Sequence, residues 1–263
     1  MAGIRGIYNR DFLAFPGRAP GFDTTHRAAY GISNGYGFSG IALNGNFINL
    51  LSGKPGVIAG TVTGSIDGLF GPVCTFSASG SQITFPGQST KTNTVVTMAC
   101  IARGYTGNYA GIFLTGSNGN GWGIQNNSTS VWGIQTPSNN NISGPVISNG
   151  TPYFFAASGS YAAQNFVVVN LATGKILTTV SNTSTSSSQP NGTYWVGTQG
   201  NGLEWNAGVA AVMFAPSFMS LPALLQWAQR PWDFGYPSSA QTVLFSGLRR
   251  KSTQTQVYGT IVG

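Results

Sequence analysis

Short apolar runs alternate with turn residues from about residue 36 to residue 215. Typical runs are "TNTVVTMACIARG", "NFVVVNLATG" and "AGVAAVMFAP", which are rich in Val, Ile, Thr and aromatic residues and are closed by Gly, Asn, Pro or Ser. Such runs are typical of antiparallel strands. About a dozen of them, without a strand-helix-strand rhythm, predict an all-β fold in which two antiparallel sheets form a jelly-roll sandwich.

One stretch, "SLPALLQWAQRPWDFGYP" at 220–237, has a helical period instead. Its apolar residues recur at the i, i+3, i+4 and i+7 positions of one helix face, which predicts a short C-terminal helix on the core. Ser220 is the expected N-cap, and Pro231 ends the helix. The residues expected to pack on the sheet are Leu221, Leu224, Leu225 and Ala228 within the helix, and Trp232 and Phe234 after it.

The two ends of the chain lack a clear period, so we predict an extended arm at 1–30, a jelly-roll domain at 31–237 and a tail at 238–263. The aromatic residues of the arm would be costly to leave in water and are expected to contact the domain itself or a neighbouring subunit. The basic run in the tail is either a solvated turn or a docking site for an acidic partner surface. The expected assembly contacts are Phe12, Phe15, Arg18, Phe22, Arg249, Arg250, Lys251 and Tyr258.

Charged residues make up only 6% of the chain, against about 25% in ordinary soluble proteins. The net charge of +7 reflects a scarcity of acids more than an excess of bases, because there are five Asp and Glu residues against twelve Lys and Arg. A neutral polar surface is typical of proteins that are assembled or lie outside the cytoplasm, and it does not favour direct nucleic-acid binding. We also expect no membrane span and no secretory signal, and therefore synthesis in the cytoplasm without export.

Residues for catalysis or metal binding are scarce. Glu204 is the only Glu, so the two carboxylates of a classical glycosidase are not evident, and His26 is the only His. Asp67 and Glu204 lie in predicted loops, but so few acids argue against a calcium site. We therefore expect no catalytic activity, no metal and no cofactor. Cys74 and Cys100 are expected to be buried free thiols, with strands that face each other across the core as an open possibility.

Tryptophans are the candidates for sugar stacking. The sequence "GWGIQNNSTSVWGIQT" contains the motif "WGIQ" twice and predicts a hairpin with Trp122 and Trp132 close together on one face. If the pair is exposed, it would form a platform for stacking on sugars; if it is buried, it would belong to the core. Ile124 and Ile134 occupy matching positions on the same face, which favours the core. The tentative glycan-binding residues are Trp122, Trp132, Trp195 and Trp205.

Two stretches carry a resemblance to a known family. The order "GTYWVGTQGNGLEWNAGVAAVMFAPSFMSLPALLQWAQRPWDFGYP" resembles the end of a concanavalin A-like lectin or laminin G-type jelly roll, and "LSGKPGVIAGTVTG" through "SQITFPG" is similar to its opening strands. The resemblance covers about 36–237 and implies a concanavalin A-like sandwich. The ending "LQWAQRPWDFGYP" is similar to the form found in structural proteins of tailed bacteriophages and prophages. The family's acidic residue is missing from "GVAAVMFAP", so its role is not carried over.

Two functions of different classes follow. The first is a non-catalytic structural component of a bacteriophage virion, most simply a capsid decoration protein. Its arms would hold the major capsid protein or neighbouring subunits, which also predicts a homo-oligomer. The alternative is a carbohydrate-binding module or phage adhesin of a tail or head fibre that binds host glycans. Exposed tryptophans would favour the alternative, whereas buried tryptophans and extended termini would favour assembly.

Overall fold

The computed structural model is nearly all β, as the strand pattern predicts. It describes residues 38–50, 52–85, 91–93, 95–107, 109–115, 122–127, 130–133, 142–160, 163–182, 189–191, 193–198, 203–229 and 231. Two antiparallel sheets of nine and seven strands face each other as a sandwich. The expected assembly residues in 1–30 and 238–263 lie outside the described residues, as do Trp232 and Phe234.

The nine-stranded sheet forms one layer of the sandwich. Its order is β15-β14-β13-β8-β18-β1-β2, with the β4-β5 hairpin joined to β18 through β5. Its strands are β1 (Phe38–Leu43), β2 (Asn46–Asn49), β4 (Val62–Asp67), β5 (Gly71–Phe76), β8 (Val96–Arg103), β13 (Pro152–Gly159), β14 (Gln164–Asn170), β15 (Lys175–Asn182) and β18 (Val209–Ala215).

The seven-stranded sheet forms the second layer, in the order β12-β11-β10-β9-β17-β6-β3. Its strands are β3 (Val57–Ala59), β6 (Gln82–Phe85), β9 (Gly111–Leu114), β10 (Gly123–Asn127), β11 (Ser130–Gly133), β12 (Ile142–Val146) and β17 (Tyr194–Val196). A separate pair joins β7 (Lys91–Asn93) to β16 (Gln189–Asn191).

The main core lies between the two sheets and is rich in aromatic rings. Phe38 of the first sheet stacks on Phe113 and Tyr194 of the second, with ring centroids 5.6 Å and 4.6 Å apart. At the other end of the sandwich, the ring of Phe166 lies directly on Gly133 and Gly144, where a Cβ atom would come within 2.6 Å and 2.5 Å of it. Glycine at these two positions lets the sheets approach closely enough to bury the ring.

A second apolar layer covers the outer face of the nine-stranded sheet and includes the predicted helix. Helix α1 (Leu221–Ala228) packs mainly on β14 and β13, and Trp227 meets Phe154 edge-on with ring centroids 5.5 Å apart. Ser220 stands at the N-cap as predicted, but its backbone oxygen accepts the Leu224 N–H while its side chain makes no capping bond. Trp227, which the predicted stripe missed, is buried, whereas Leu221 and Leu225 are only half-buried.

Both cysteines are buried free thiols, as expected. Cys74 lies on β5 and Cys100 on β8, and both strands belong to the nine-stranded sheet, so the idea that they face each other across the core is wrong. Burial raises the pKa of Cys74 to about 12 and that of Cys100 well above its usual value. None of the described helices is long and apolar enough to span a membrane.

Candidate functional site

A polar cleft opens at one end of the sandwich, where three loops meet. They are the β5-β6 loop at 77–81, the β8-β9 loop at 104–110 and the β17-β18 loop around 203–208. The cleft has a volume of about 210 Å³. Its walls are formed by Phe76, Ser77, Ala78, Ser79, Tyr105, Gly107, Ala110, Leu203, Glu204 and Asn206.

Among the described residues of the cleft wall, Glu204 is the only charged one. Isolated β-bridges to Gly111 and Thr198 fix its backbone, and its Oε1 accepts the Gly80 N–H at 2.6 Å. Its side chain therefore joins the β17-β18 loop to the β5-β6 loop. Within the described part of the chain, Glu204 makes no ion pair, because the salt bridge found there joins Arg103 to Asp67. Apart from the Gly80 N–H, the described contacts leave the Glu204 carboxylate oxygens available to accept hydrogen bonds from a ligand.

An aromatic pair backs the cleft. Trp205 is fully buried, and its indole Nε1–H donates to the Arg103 carbonyl oxygen at 2.9 Å. Tyr105 meets Trp205 edge-on with ring centroids 5.9 Å apart and is only half-buried, so part of its ring faces the cleft. Residue 107 has to be glycine because a Cβ atom there would overlap the Tyr105 ring.

Hydrogen bonds from two buried side chains, Asn126 and Ser81, to the backbone hold the cleft loops in place. The buried Asn126 side chain accepts the Ala110 N–H at 2.7 Å and donates to the Tyr105 carbonyl oxygen at 2.6 Å, which fixes both ends of the β8-β9 loop. In the β5-β6 loop, the buried Ser81 Oγ accepts N–H groups from Thr61 at 3.0 Å and Ala78 at 3.2 Å. The cleft is thus preformed, which lowers the entropy cost of binding.

The Asp67–Arg103 ion pair lies next to these loops and holds Arg103, whose carbonyl oxygen accepts the Trp205 indole N–H. Arg103 Nε and Nη2 each donate to Asp67 at 2.7 Å, and Nη1 donates to the Gly150 carbonyl oxygen at 2.8 Å. Burial alone would raise the pKa of Asp67, but the Arg103 bonds and charge, together with the Leu69 and Phe70 amides, outweigh burial and lower it below its ordinary value.

The chemistry of the cleft suits a ligand rich in hydroxyl groups. Glu204 supplies a carboxylate acceptor, Asn206 an exposed amide, Ser77 and Ser79 exposed hydroxyls, and Tyr105 an aromatic surface. Carboxylates accept hydrogen bonds from two hydroxyls at once, and aromatic rings pack on the C–H faces of sugars. No group of three His, Cys, Asp or Glu residues that could hold a metal ion occurs among the described residues.

Two of the four predicted glycan-binding tryptophans cannot contact a ligand in this structure. Trp122 and Trp205 are fully buried, so the expectation that they stack on sugars is wrong and the core interpretation holds for Trp122. The hairpin register pairs Trp132 with Gln125, while Trp122 precedes β10 on the face of buried Ile124. Because residues two apart share a face, Trp122 and Trp132 lie on opposite faces of the sheet, not on one face as predicted. The Trp132 side chain lies outside what the structure describes.

Trp195 is the remaining candidate and lies on the outer face of the seven-stranded sheet. It is half-buried in a cross-strand row between Thr84 of β6 and Leu114 of β9. The next row holds Gln125, whose side chain is buried and whose Oε1 has no hydrogen-bond partner in the structure. Because Leu114 and Gln125 are buried, the partly exposed Trp195 ring is what this outer face, defined by Trp195, Leu114 and Gln125, offers to a ligand.

Sequence reasoning missed Tyr105, Asn206 and the role of Glu204, which it weighed only as a calcium ligand and as one of the two carboxylates of a glycosidase. The three residues come from two loops about 100 positions apart, and the cleft forms only because β8, β9 and β17 end together. The signal available in the sequence was the only Glu of the chain, next to a tryptophan in "NGLEWN".

No protein-family model matches the chain, and no curated protein sequence is significantly similar to it. Solved structures are similar in fold. Trypanosoma rangeli sialidase in complex with sialic acid superposes with a TM-score of 0.53 at 10% identity, over 75% of this chain and 33% of the sialidase. The receptor-binding domain of botulinum neurotoxin C/D mosaic serotype gives a TM-score of 0.50 at 11% identity, over 76% of this chain and 54% of that domain.

Domain 4 of a GH43 extracellular arabinanase from Geobacillus stearothermophilus, in complex with arabinotriose, gives a TM-score of 0.49 at 14% identity, over 68% of this chain and 91% of that domain. That score is too low to carry an argument. The chain thus spans about a third of the sialidase and about half of the neurotoxin domain. At these identities the comparisons establish a shared β-sandwich fold, and they give the bacteriophage resemblance no support.

Proposed function

We propose that this domain is a non-catalytic carbohydrate-binding module and that the polar cleft holds the sugar. The observation that carries the assignment is the juxtaposition of the half-buried Tyr105 ring with the Glu204 carboxylate across a preformed cleft. An apolar surface opposite a few well-placed polar groups is the usual arrangement of a small-ligand site.

Each group has a defined part in binding. The Tyr105 ring packs against the C–H face of a sugar ring, while Glu204 accepts hydrogen bonds from neighbouring hydroxyls. Asn206, exposed at the rim, can both donate and accept. A hydrogen bond to a charged group contributes about 1.5–3 kcal/mol, so loss of the carboxylate is expected to weaken binding at least tenfold.

The arrangement of Asp67 and Glu204 favours sugar binding over glycosidic bond hydrolysis. Glycosidases of the usual kind need two carboxyl groups, one of which gives or accepts a proton. In the described ranges the acids are Asp67 and Glu204, and Asp67 is held as an anion by Arg103 and two backbone amides. A carboxylate held in this way is poorly suited to act as a proton donor.

The fold comparisons agree with this function. The same sandwich occurs in a sialidase solved with sialic acid and in the binding domain of botulinum neurotoxin DC solved with SialylT, which superposes with a TM-score of 0.50 at 10% identity. Such folds can carry sugar sites on different loops, so the site in this chain is argued from its own residues.

The test is a screen of the full chain on an array of defined glycans, followed by calorimetry with the strongest ligand. Glu204→Gln keeps an acceptor for the Gly80 N–H but removes the charge, and it is expected to raise the Kd at least tenfold. Asn206→Ala removes an exposed side chain and is expected to raise the Kd several-fold.

Two control variants locate the site. Lys175→Gln changes one exposed charge on the β14-β15 hairpin and should leave the Kd unchanged. Trp195→Ala removes the ring on the outer face of the seven-stranded sheet, and the cleft assignment predicts that binding survives. If Trp195→Ala abolishes binding while Glu204→Gln does not, the sugar binds to the outer face and the cleft assignment is wrong.

Assembly through an exposed strand edge is a second candidate function, and it retains the expectation of a structural component in a virion. Among the described strands, β3 ends the seven-stranded sheet and β4 pairs only with β5. Val57 and Ile66 on these strands are 56% and 65% exposed, and residues 55–66 contain no charge. Edge strands are usually protected by charges, so a neutral β-branched edge favours pairing with a second copy of this chain.

Sedimentation of the full chain tests this assembly. Wild type is expected to form a dimer or larger oligomer that Val57→Lys dissociates, whereas Ala172→Lys in an exposed turn leaves it intact. A wild-type monomer at the highest soluble concentration would contradict self-pairing. The location in a virion remains a separate prediction, tested by the copy number of the chain in purified particles.

A further inference from the structure

The charge of the cleft points to the class of sugar that it accepts. On the basis of the proposed function, we infer that the cleft selects uncharged or amine-bearing sugars and excludes acidic ones such as sialic and uronic acids. Of the cleft-wall residues that the structure describes, Glu204 alone carries a charge, and that charge is negative.

The described cations do not compensate this charge. Arg103 lies closest in the chain to the cleft loops, but all three of its guanidinium nitrogens are engaged, two by Asp67 and one by the Gly150 carbonyl oxygen. Lys54 lies in the turn before β3, Lys91 begins β7 and Lys175 begins β15, and none of the three belongs to the cleft wall. Within the part of the chain that the structure describes, no cation therefore compensates the Glu204 carboxylate that a ligand in the cleft would meet.

An acidic sugar would bring a second carboxylate to this site. Two like charges within a few ångströms repel each other, and exclusion of water strengthens that repulsion. Sites for acidic ligands usually contain Arg, whose planar donors match a carboxylate. The described cleft wall contains no Arg, so an acidic group there would lose hydration without gaining a partner from these residues.

This chemistry separates the chain from the proteins whose fold it shares. The sialidase similar in fold was solved with sialic acid, an anionic sugar. A shared fold does not fix the ligand class, and the cleft residues indicate a class of sugar opposite in charge to sialic acid. The predicted preference against acidic sugars depends on one side chain, Glu204, so a single substitution can test it.

Matched ligands test the inference. The probes are sialylated oligosaccharides and their desialylated counterparts, and oligosaccharides that end in glucosamine, N-acetylglucosamine or glucuronic acid, each titrated into the full chain. The desialylated and N-acetylglucosamine-ended oligosaccharides are expected to bind at least tenfold more tightly than the sialylated and glucuronic acid-ended ones, respectively. The glucosamine end is expected to bind at least as tightly as its neutral N-acetylated counterpart.

The Glu204→Gln variant identifies the cause of the selectivity. It is expected to weaken the neutral ligands and to bring the neutral-to-acidic ratio to within about threefold, because the repulsion is removed. High salt should also reduce the ratio in wild type, since screening weakens the repulsion.

The outcomes distinguish the two levels of the assignment. Wild type that binds acidic probes as tightly as neutral ones, or a ratio that Glu204→Gln leaves unchanged, overturns the inference and leaves glycan binding in place. Wild type that binds none of the probes or arrayed glycans overturns the proposed function and the inference together.

Discussion

Replacing Asp67 with Asn removes one charge from the ion pair that supports the cleft loops. Asp67 is joined to Arg103 by two bonds of 2.7 Å, and the side chains are 12% and 26% exposed, respectively. Asn retains an acceptor for the Leu69 and Phe70 amides, so the turn itself should survive. The change therefore isolates the charge of the pair.

The expected loss of stability follows from this geometry. Leaving one member of a fully buried pair unpaired costs about 3–5 kcal/mol, whereas exposed pairs contribute about 0–1 kcal/mol. A partly exposed pair with two charge-assisted bonds falls between these limits, at about 2 kcal/mol. For a domain of this size, that loss lowers the Tm by about 4–8 °C.

The pH dependence separates charge from packing. The pKa of Asp67 is lowered in the folded state, so its contribution is fully present above the ordinary value of 3.8 and is lost as the pH falls through the lower folded value. Urea unfolding of wild type and Asp67→Asn should therefore differ by about 2 kcal/mol at neutral pH, and the difference should shrink as the pH falls below 3.8 and through the lower folded value. A difference that does not shrink in acid, or that is absent at neutral pH, would refute the account of the ion pair.

Two further predictions concern the core. Gly197→Ala places a Cβ atom on a backbone with φ +84° and into the Phe76 ring, so it should lower the free energy of unfolding in urea by about 2–5 kcal/mol. Gly174 has φ +70° but lies in open space, so Gly174→Ala should lower it by only about 1–2 kcal/mol. Equal losses for the two variants would contradict the packing of Phe76 on Gly197. Cys74 and Cys100 are buried with raised pKa values, so neither should react with a thiol reagent near pH 8 until the protein unfolds, and rapid labelling of the folded chain would contradict their burial.

Local patterns were enough to predict the architecture. The β14-β15 hairpin follows from "NLATGKIL", in which Gly174 has the positive φ that its turn requires. The helix follows from apolar residues at helical spacing and from Pro231. Both signals are contained within a few residues, so the sequence shows them without knowledge of the tertiary contacts.

The candidate site could not be predicted in the same way, because its contacts are distant in the chain. The sequence offers Trp205 as a tentative glycan-binding residue, but its indole N–H donates to the carbonyl oxygen of Arg103, which lies 102 positions earlier in the chain. Glu204 likewise finds the Gly80 amide across 124 positions. Whether a tryptophan packs in the core or faces solvent depends on such partners, which a single sequence does not reveal.

The most direct measurement for the function is calorimetry of the full chain with the strongest ligand from the glycan array, repeated with Glu204→Gln. The account predicts that wild type binds a sugar and that the variant, while melting like wild type, binds it at least tenfold more weakly. Absence of glycan binding by folded wild type, or equal affinity of the two proteins, would contradict a sugar site built on Glu204.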